Sequence, residues 1–140
     1  MKISAKIDYA CRALLELSHH WPSRTPLHVS EIAKRQHIPM KFLVHILISL
    51  KDLGYVESIR GKSGGYFLSQ SPKNIKLSQV IKNFGGLWEN SVGDGKSQRH
   101  VMDSVWRELN ENVCQCIDEF DFEKISSRAR TKEKAVSFEI

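Results

Sequence analysis

A glycine-rich basic segment is the first part of this sequence whose residue types suggest recognition of another molecule. The stretch RGKSGG at residues 60–65 lies between two short runs rich in aromatic and branched residues, 55–59 and 66–69. Its glycines allow positive φ and close approach to another surface, while Arg60 and Lys62 offer charge to phosphates or to a narrow minor groove. A nucleotide-binding loop is the alternative, but the spacing G-x-x-x-x-G-K-S/T is missing, and no helix follows. The pattern predicts a hairpin with a basic tip.

The helix expected from Pro39 to about Leu53 offers a second surface of interest. Its core face is marked by apolar residues at helical spacing: Leu43, Ile46, Leu47, Leu50 and Leu53. Its other face mixes basic and apolar residues: Lys41, Val44, His45, Ile48 and Lys51 or Asp52. Such a mixture suits a major groove, because lysine can meet phosphates and methyl groups can meet the methyl of thymine. The alternative is a helix that is partly covered within a larger helical pack.

The cysteines, Cys11, Cys114 and Cys116, are too few and too unevenly placed for a disulfide framework. Cys114 and Cys116 form a C-x-C on a predicted helix, so their side chains point in nearly opposite directions and do not readily share a metal. We expect one of them to pack as a small hydrophobe and the other to be exposed. The sharper hypothesis is a redox-active thiol switch across a dimer. Cys11 lies on an apolar stripe and is expected to pack in the core.

Metal ligation and catalysis have no signature in the sequence. The six histidines show neither an H-E-x-x-H motif nor paired ligand spacing. A nucleophile with an adjacent base, or a pair of tuned carboxylates, is also missing. We therefore expect no metal site and no enzymatic activity.

Short helices at the start of the chain would position the mixed face. Apolar residues recur at helical spacing over residues 3–21 and predict a first helix, which a loop at 22–28 follows. Ser30 is suited to cap a second helix that ends near Gln36.

A tight turn at residues 37–39 then leads into the third helix, which Gly54 would close at the C′ position. Two short helices joined by such a turn predict a helix-turn-helix. The hairpin at 55–69 would be its wing.

The second half of the chain is expected to begin with a short helix at 77–84. Ser78 is its candidate cap, and Gly85-Gly86 would end it. Turn-forming residues over 87–97 then predict an exposed loop.

A long amphipathic helix is expected from Gln98 to Phe120. Its apolar stripe, which Met102 widens and Phe120 ends, consists of Val101, Val105, Trp106, Leu109, Val113 and Ile117. A stripe wider than one small domain can cover favours a two-fold dimer, and the alternative is that the helix folds back onto its own domain. One more turn is expected at 122–125, followed by a charged, aperiodic and mobile or partner-anchored tail at 126–140.

Composition agrees with this organisation. Lysine and arginine total 21 against 16 aspartates and glutamates, a formal net charge of +5 that favours a polyanionic partner. We find no signal peptide and no apolar run near the roughly 18 residues of a membrane span, so we expect a soluble, cytoplasmic protein. The predicted fold is mainly α with a small β-hairpin wing: a winged helix-turn-helix domain at 1–84, an exposed sensor-type loop at 85–97, a dimerisation helix with a short terminal helix at 98–125, and a flexible tail at 126–140.

Several motifs resemble one known family. They are MKISAKIDYACRALLEL at the start, SEIAKRQHIPMKFLVHIL, LKDLGYVESIRGKSGGYFLS and IKLSQVI, which together cover about residues 1–84. The segment VWRELNENV resembles the same family's dimerisation helix. In these motifs, above all in the RGxxGGYxL wing, the chain resembles the Rrf-two family of regulators, of the IscR, NsrR and CymR type.

The resemblance implies a homodimer that binds double-stranded DNA at an imperfect palindrome and regulates transcription, with repression the expected outcome. It implies that Lys41, Val44 and His45 face the bases, and that Arg60 enters the minor groove. Lys6, Tyr9 and Ser30 would contact phosphates. The full set expected to touch DNA comprises Lys6, Tyr9, Ser30, Pro39, Met40, Lys41, Val44, His45, Arg60, Gly61, Lys62, Ser63, Gly64, Gly65 and Tyr66.

Two departures from the family pattern limit which of the family's properties can be expected of this sequence. Cluster-binding members commonly have Glu-Gln where this sequence has Val44-His45, which points to a different operator. Iron–sulfur members also place three cysteines in the stretch that here runs from Gly85 to Met102, and this stretch contains none. We therefore expect no iron–sulfur cofactor, since Asp8 and His100 without thiolates would hold a cluster poorly. The resemblance is compatible with an effector, and the residues do not identify it.

One alternative function stays open at this point. A protein of the same fold could act as an interaction module that regulates through a partner protein bound by the long helix and the tail. Binding of duplex DNA with steep salt dependence would distinguish a regulator from such a module.

Overall fold

The computed structural model describes residues 2–87 and 101–139. Over these residues the elements in chain order are α1 (Ala5–Ser18), α2 (Val29–Gln36), α3 (Met40–Asp52), β1 (Val56–Ile59), β2 (Gly65–Leu68), a short 3-10 helix (Pro72–Asn74), α4 (Leu77–Asn83), α5 (Val101–Asp118) and α6 (Phe122–Glu139). The mainly helical fold with one small hairpin that the sequence predicts is confirmed. Within this part of the chain, no helix is both long enough and apolar enough to cross a membrane.

One hydrophobic core is shared by α1, α3, the hairpin and α4. Leu14 of α1, Leu43 and Leu47 of α3 and Val80 of α4 are all fully buried in it. The predicted core face of α3 is confirmed except for Leu53, which is 42% exposed. That expectation was wrong because α3 ends at Asp52, so Leu53 occupies the C-cap position, where the chain turns away from the core.

The end of α3 follows the prediction. Gly54 has φ of +82°, the left-handed conformation that a C′ residue needs, and a side chain is disfavoured there. Gly85 and Gly86, after α4, also have positive φ, so the predicted stop of that helix is confirmed.

Two predicted helix caps were wrong. The second helix begins at Val29, two residues earlier than expected, and its cap is His28, whose Nδ1 accepts a hydrogen bond from the Ser30 backbone N–H at 3.3 Å. Ser30 therefore lies inside the first turn. In the same way α4 begins at Leu77 after an N-cap at Lys76, which leaves Ser78 within the helix. The second helix starts earlier than expected, whereas α4 starts at Leu77 as expected, so that Ser78 comes after its first residue and is not the cap.

The C-terminal helix is much longer than the single turn expected for residues 122–125. It runs over the 18 residues of α6, into the stretch where we expected an aperiodic tail. Phe122 is fully buried at its start, and Asp121 accepts a hydrogen bond from the Lys124 backbone N–H at 2.9 Å through Oδ1. The expectation failed because the anchor is a tertiary contact, in which α6 packs against α1 and supports an otherwise charged helix.

A hydrogen bond between the first and last helices reinforces this packing. The hydroxyl of Ser126, which is buried, lies 3.1 Å from Nδ1 of His19 on the C-cap of α1. Burial lowers the pKa of His19, which favours the neutral ring.

The predicted long helix is observed as α5. The three residues before Val101 that we assigned to it, and residues 88–97 of the predicted loop, lie outside the described residues.

Candidate nucleic-acid interface

The outer face of α3 is solvent-exposed over its whole length. Met40, Val44 and Ile48 are 45%, 39% and 46% exposed, and Lys41 and His45 lie exposed beside them. Apolar side chains of this size are usually covered, so their exposure on a helix with a complete core face on the other side marks a binding surface. The predicted division of α3 into an inner and an outer face is confirmed, apart from Leu53.

An aromatic contact joins the start of α1 to the start of α3. The ring of Tyr9 stacks on Phe42, with 6.3 Å between centroids and an interplanar angle of 28°. Lys41 places its Nζ 5.0 Å from the centre of the same Phe42 ring. The contact brings Tyr9, which the resemblance makes a phosphate contact, next to the helix that would read the bases. Our sequence reasoning missed Phe42, although it departs from the apolar spacing of the core face.

A basic residue of α1 rests on another aromatic ring. The Nζ of Lys6 is 5.6 Å from the centre of the Phe84 ring at the C-cap of α4. Lys6 is exposed, so its ammonium group can reach a phosphate while it rests on the ring.

The wing divides into an exposed tip and a buried base. Arg60, Gly61, Lys62 and Ser63 are all exposed, as a groove-reading tip requires. Gly64 is buried, and a Cβ there would overlap the carbonyl oxygen of Ile59. Gly64 therefore shapes the turn; whether it also touches DNA stays a prediction.

The base of the wing is tied to the segment that precedes α2. Leu27 and Tyr66 form two backbone hydrogen bonds, each 2.9 Å long, next to the β1–β2 hairpin. A Cβ on Gly65 would overlap the backbone of Leu27. Only glycine allows this approach, so Gly65 and Tyr66 hold the wing against the helix-turn-helix.

Side-chain hydrogen bonds link the wing to the end of α3. Lys51 donates from Nζ to Oγ of Ser58 on β1 at 2.7 Å. Ser69, just after β2, donates from Oγ to the carbonyl oxygen of Gly54 at 2.5 Å. Because one bond reaches Lys51 of α3 and the other reaches Gly54 just after that helix, the hairpin and the outer face of α3 keep a defined relation to each other.

A buried carboxylate holds α2 against α1. Glu16 is only 6% exposed, and it accepts hydrogen bonds from Nη1 of Arg35 and Nε2 of Gln36, both at 2.9 Å. Burial alone raises the pKa of Glu16, but the bonds from Arg35 and Gln36 outweigh it, so the pKa lies below its usual value. Sequence reasoning missed Glu16 because it lies away from the apolar stripe of α1, on a side that α2 covers.

The apolar stripe of α5 is also exposed. Val105, Trp106 and Leu109 are 44%, 47% and 42% exposed, while Val113 and Ile117 are partly buried. None of the α5 residues, all of which the structure describes, is fully buried. The helix packs on α4 and, through Ile117, on the core, but its stripe is left largely uncovered.

Comparison with known proteins agrees with this geometry. The family model Rrf2, described as an iron-dependent transcriptional regulator, matches residues 3–128. The chain belongs to the Rrf2 family. This is the Rrf-two family that the motifs resemble, so that identification is confirmed.

Individual relatives of this Rrf2 protein are regulators as well. A Synechocystis protein named as an HTH-type transcriptional regulator is 36% identical over 121 residues, which cover 84% of this chain and 82% of the relative. The structure of IscR from T. potens is 28% identical in sequence, and its superposition on this chain has a TM-score of 0.76. It covers 92% of this chain and 88% of the IscR chain. The structure of CymR, the global cysteine regulator of B. subtilis, is 25% identical in sequence, with a TM-score of 0.77. This superposition covers 91% of this chain and 98% of the CymR chain.

These relatives decide between the functional classes. The protein is a winged-helix, DNA-binding regulator of transcription and not an enzyme, as predicted. The alternative of an interaction module that does not bind DNA is not favoured.

Iron is implied by the family description, but the donor residues of this Rrf2 protein do not fit a thiolate-held cluster. Such clusters are usually held by several cysteine thiolates, and the stretch between Gly85 and Met102 has none. Within residues 2–87 and 101–139, no group of three or more His, Cys, Asp or Glu is placed to hold a metal. Asp8 instead forms an ion pair with Arg12 at 2.9 Å, and His100 lies outside the described residues.

The cysteines that are present lie on α1 and on α5. Cys114 and Cys116 are both exposed on α5, so the expectation that one of them packs as a hydrophobe was wrong. The reason is that α5 has neighbours along only part of its surface. Cys11 packs against the core as expected, and burial followed by the charge of Asp8 raises its pKa to about 12, which disfavours the thiolate. The redox reactivity of Cys114 and Cys116 stays a prediction.

Proposed function

We propose that this Rrf2 protein acts as a homodimer that binds a palindromic operator and represses transcription from it. Each protomer would insert the start of α3 into a major groove and the tip of its wing into the neighbouring minor groove. The observation that carries the proposal is the exposed outer face of α3 beside an exposed basic wing tip, both attached to one hydrophobic core.

Residue roles follow from position on this surface. Lys41, Val44 and His45 lie exposed on the first turns of α3, from which base edges can be reached. Arg60 at the exposed tip of the wing suits a narrow minor groove, where the negative potential attracts arginine.

Phosphate contacts are assigned to residues beside the reading helix. Tyr9 stands next to the start of α3 through its stack on Phe42, and Lys6, three residues before it on α1, rests on the Phe84 ring. Ser30 lies exposed in the first turn of α2, where the backbone N–H groups of the helix start favour an anion.

A second copy of the chain would cover the exposed stripe of α5. Val101, Val105, Trp106 and Leu109 line the part of this helix that leaves the core, and each is more than 40% exposed. Two copies related by a two-fold axis would bury these residues and space two reading helices for adjacent major grooves. A palindromic operator is the DNA counterpart of that symmetry.

Repression follows from occupancy, because a dimer that fills two successive grooves excludes other proteins from the same promoter segment. The proposal requires a cytoplasmic protein, since the operator is chromosomal DNA. It includes no iron–sulfur cluster, and the effector that would change the affinity for DNA is not specified.

Selection of duplexes from a random library, followed by gel shift at increasing salt, tests this function. We expect a selected palindrome that binds two chains, with affinity falling roughly 10³-fold to 10⁵-fold between 50 and 200 mM salt. A reporter gene placed behind the palindrome should be silenced when the protein is expressed. Enrichment of no duplex, or affinity that ignores salt, would contradict DNA recognition; one chain per duplex would contradict the dimer.

A further inference from the structure

We infer that α3 selects operators by the methyl groups of thymine, through an apolar ridge made of Met40, Val44 and Ile48. The inference rests on the proposed function and adds to it the class of base sequence that the reading helix accepts.

The ridge is a geometric property of the helix. Residues four apart are neighbours on a helix surface, so Met40, Val44 and Ile48 form one continuous row, and Lys41, His45 and Ser49 form the row beside it. The three apolar side chains are each 39% to 46% exposed. At 1.5 Å per residue the row is about 12 Å long, which matches roughly three steps between base pairs stacked 3.4 Å apart.

The chemistry of the ridge restricts what it can face in a major groove. Val44 and Ile48 have no hydrogen-bonding group, so a guanine O6 or a cytosine amino group pressed against them would lose its water without gaining a partner. The methyl group of thymine is the apolar group that unmodified base pairs display in this groove. An A·T pair that turns its thymine methyl group toward the ridge gains apolar contact, while the thymine O4 and the adenine N7 and amino group beside the methyl can stay hydrated.

Charge around the ridge favours a polyanion over an apolar protein surface. No acidic residue occurs from Met40 to Lys51. The exposed Lys41 follows in the neighbouring row, and the exposed Arg60 and Lys62 lie on the wing that Lys51 ties to α3. An apolar ridge with basic side chains at its margins fits a groove whose floor carries methyl groups and whose walls are phosphates.

Uracil provides the direct test, because it keeps the pairing of thymine and lacks only the methyl group. A duplex selected from the random library would be synthesised with each thymine in turn replaced by uracil. We expect a loss of about fourfold in affinity at each thymine that the ridge contacts, the value for one buried methyl group, and no change at other thymines.

A matched pair of variants assigns the effect to the ridge. Val44→Ala should lose sensitivity to uracil at one thymine position of each half-site. Val136→Ala is the control, since Val136 is 52% exposed on a different helix, α6, and undergoes the same change. Both residues are exposed, so both variants should fold, and their thermal unfolding is measured alongside.

Each result has a defined meaning. Failure of every thymine duplex to bind would refute the proposed function itself. Normal binding with equal affinity for the uracil duplexes would overturn only the methyl readout. A uracil penalty that remains unchanged in Val44→Ala, and also in Met40→Ala and Ile48→Ala, would show that the methyl acts through DNA shape, and it would overturn the inference as well.

Discussion

Gly65 offers a sharp test of how the wing is held. An added Cβ at this position would overlap the carbonyl oxygen and carbon of Leu27 and crowd the backbone nitrogen of His28. All three atoms belong to the backbone and cannot move aside as a side-chain tip can. In Gly65→Ala, the two hydrogen bonds between Leu27 and Tyr66 must therefore lengthen or break.

Gly61→Ala is the matched control for this change. Gly61 also has positive φ, +115°, but an added Cβ there would meet no atom within 4 Å. Gly61→Ala should therefore lower the free energy of unfolding only through the strained backbone conformation of the new alanine, by about 1 kcal/mol. Gly65→Ala has the same backbone strain and also loses two hydrogen bonds at about 1 kcal/mol each. We therefore expect it to lower the free energy of unfolding by about 3 kcal/mol.

Thermal and urea unfolding followed by circular dichroism measure both variants. For a chain of this size, about 1 kcal/mol corresponds to roughly 3 °C in Tm, so Gly65→Ala should melt about 6 °C below Gly61→Ala. At temperatures where it is still folded, Gly65→Ala should also bind the selected operator more weakly, because the wing loses its anchor on the helix-turn-helix. If the two variants unfold within about 0.5 kcal/mol of each other, the close approach to Leu27 does not hold the wing, and the reasoning is refuted.

The remaining predictions concern the tip of the wing, the dimer and the buried carboxylate. Arg60→Ala should weaken binding of the selected operator in gel shift about tenfold, while sedimentation shows an intact dimer; unchanged affinity would contradict the wing assignment. Replacing Leu109 and Val113 together with glutamate should yield folded monomers in sedimentation equilibrium, since charge in the α5 stripe opposes its burial, and an undisturbed dimer would count against this interface. Glu16→Gln should cost about 1 to 2 kcal/mol at pH 7 in urea unfolding. Because the pKa of Glu16 is lowered in the folded state, its stabilisation is complete above the usual carboxylate pKa and is lost as pH falls through the lowered value, so the gap between wild type and variant should close in acid; a gap that is constant with pH would contradict the ion pair with Arg35.

The candidate interface could be found from the sequence because its signals are local. The outer face of α3 follows from apolar spacing within one helix, and the wing follows from glycines and basic residues within six positions. Exposure of Val44 and Arg60 was expected on these grounds and is observed.

Other features of the interface depend on contacts between distant parts of the chain. The stack of Tyr9 on Phe42 joins residues of two helices, and no spacing within either helix predicts it. The role of Gly65 also depends on Leu27, which approaches it from the segment before α2. A sequence pattern suggests that a glycine is needed, but it does not say which backbone comes close.

The sequence by itself determined the helix-turn-helix, the hairpin, the stop at Gly54 and the surplus apolar face of α5, since each follows from the conformational preference or spacing of neighbouring residues. Only the tertiary structure decided the length of α6, the burial of Glu16 and the position of Leu53. The physical reason is that a charged helix forms or frays, and a glutamate is buried or solvated, according to what packs against it. For α6 that partner is α1, with Phe122 as the buried anchor, and for Glu16 it is the pair of donors on α2.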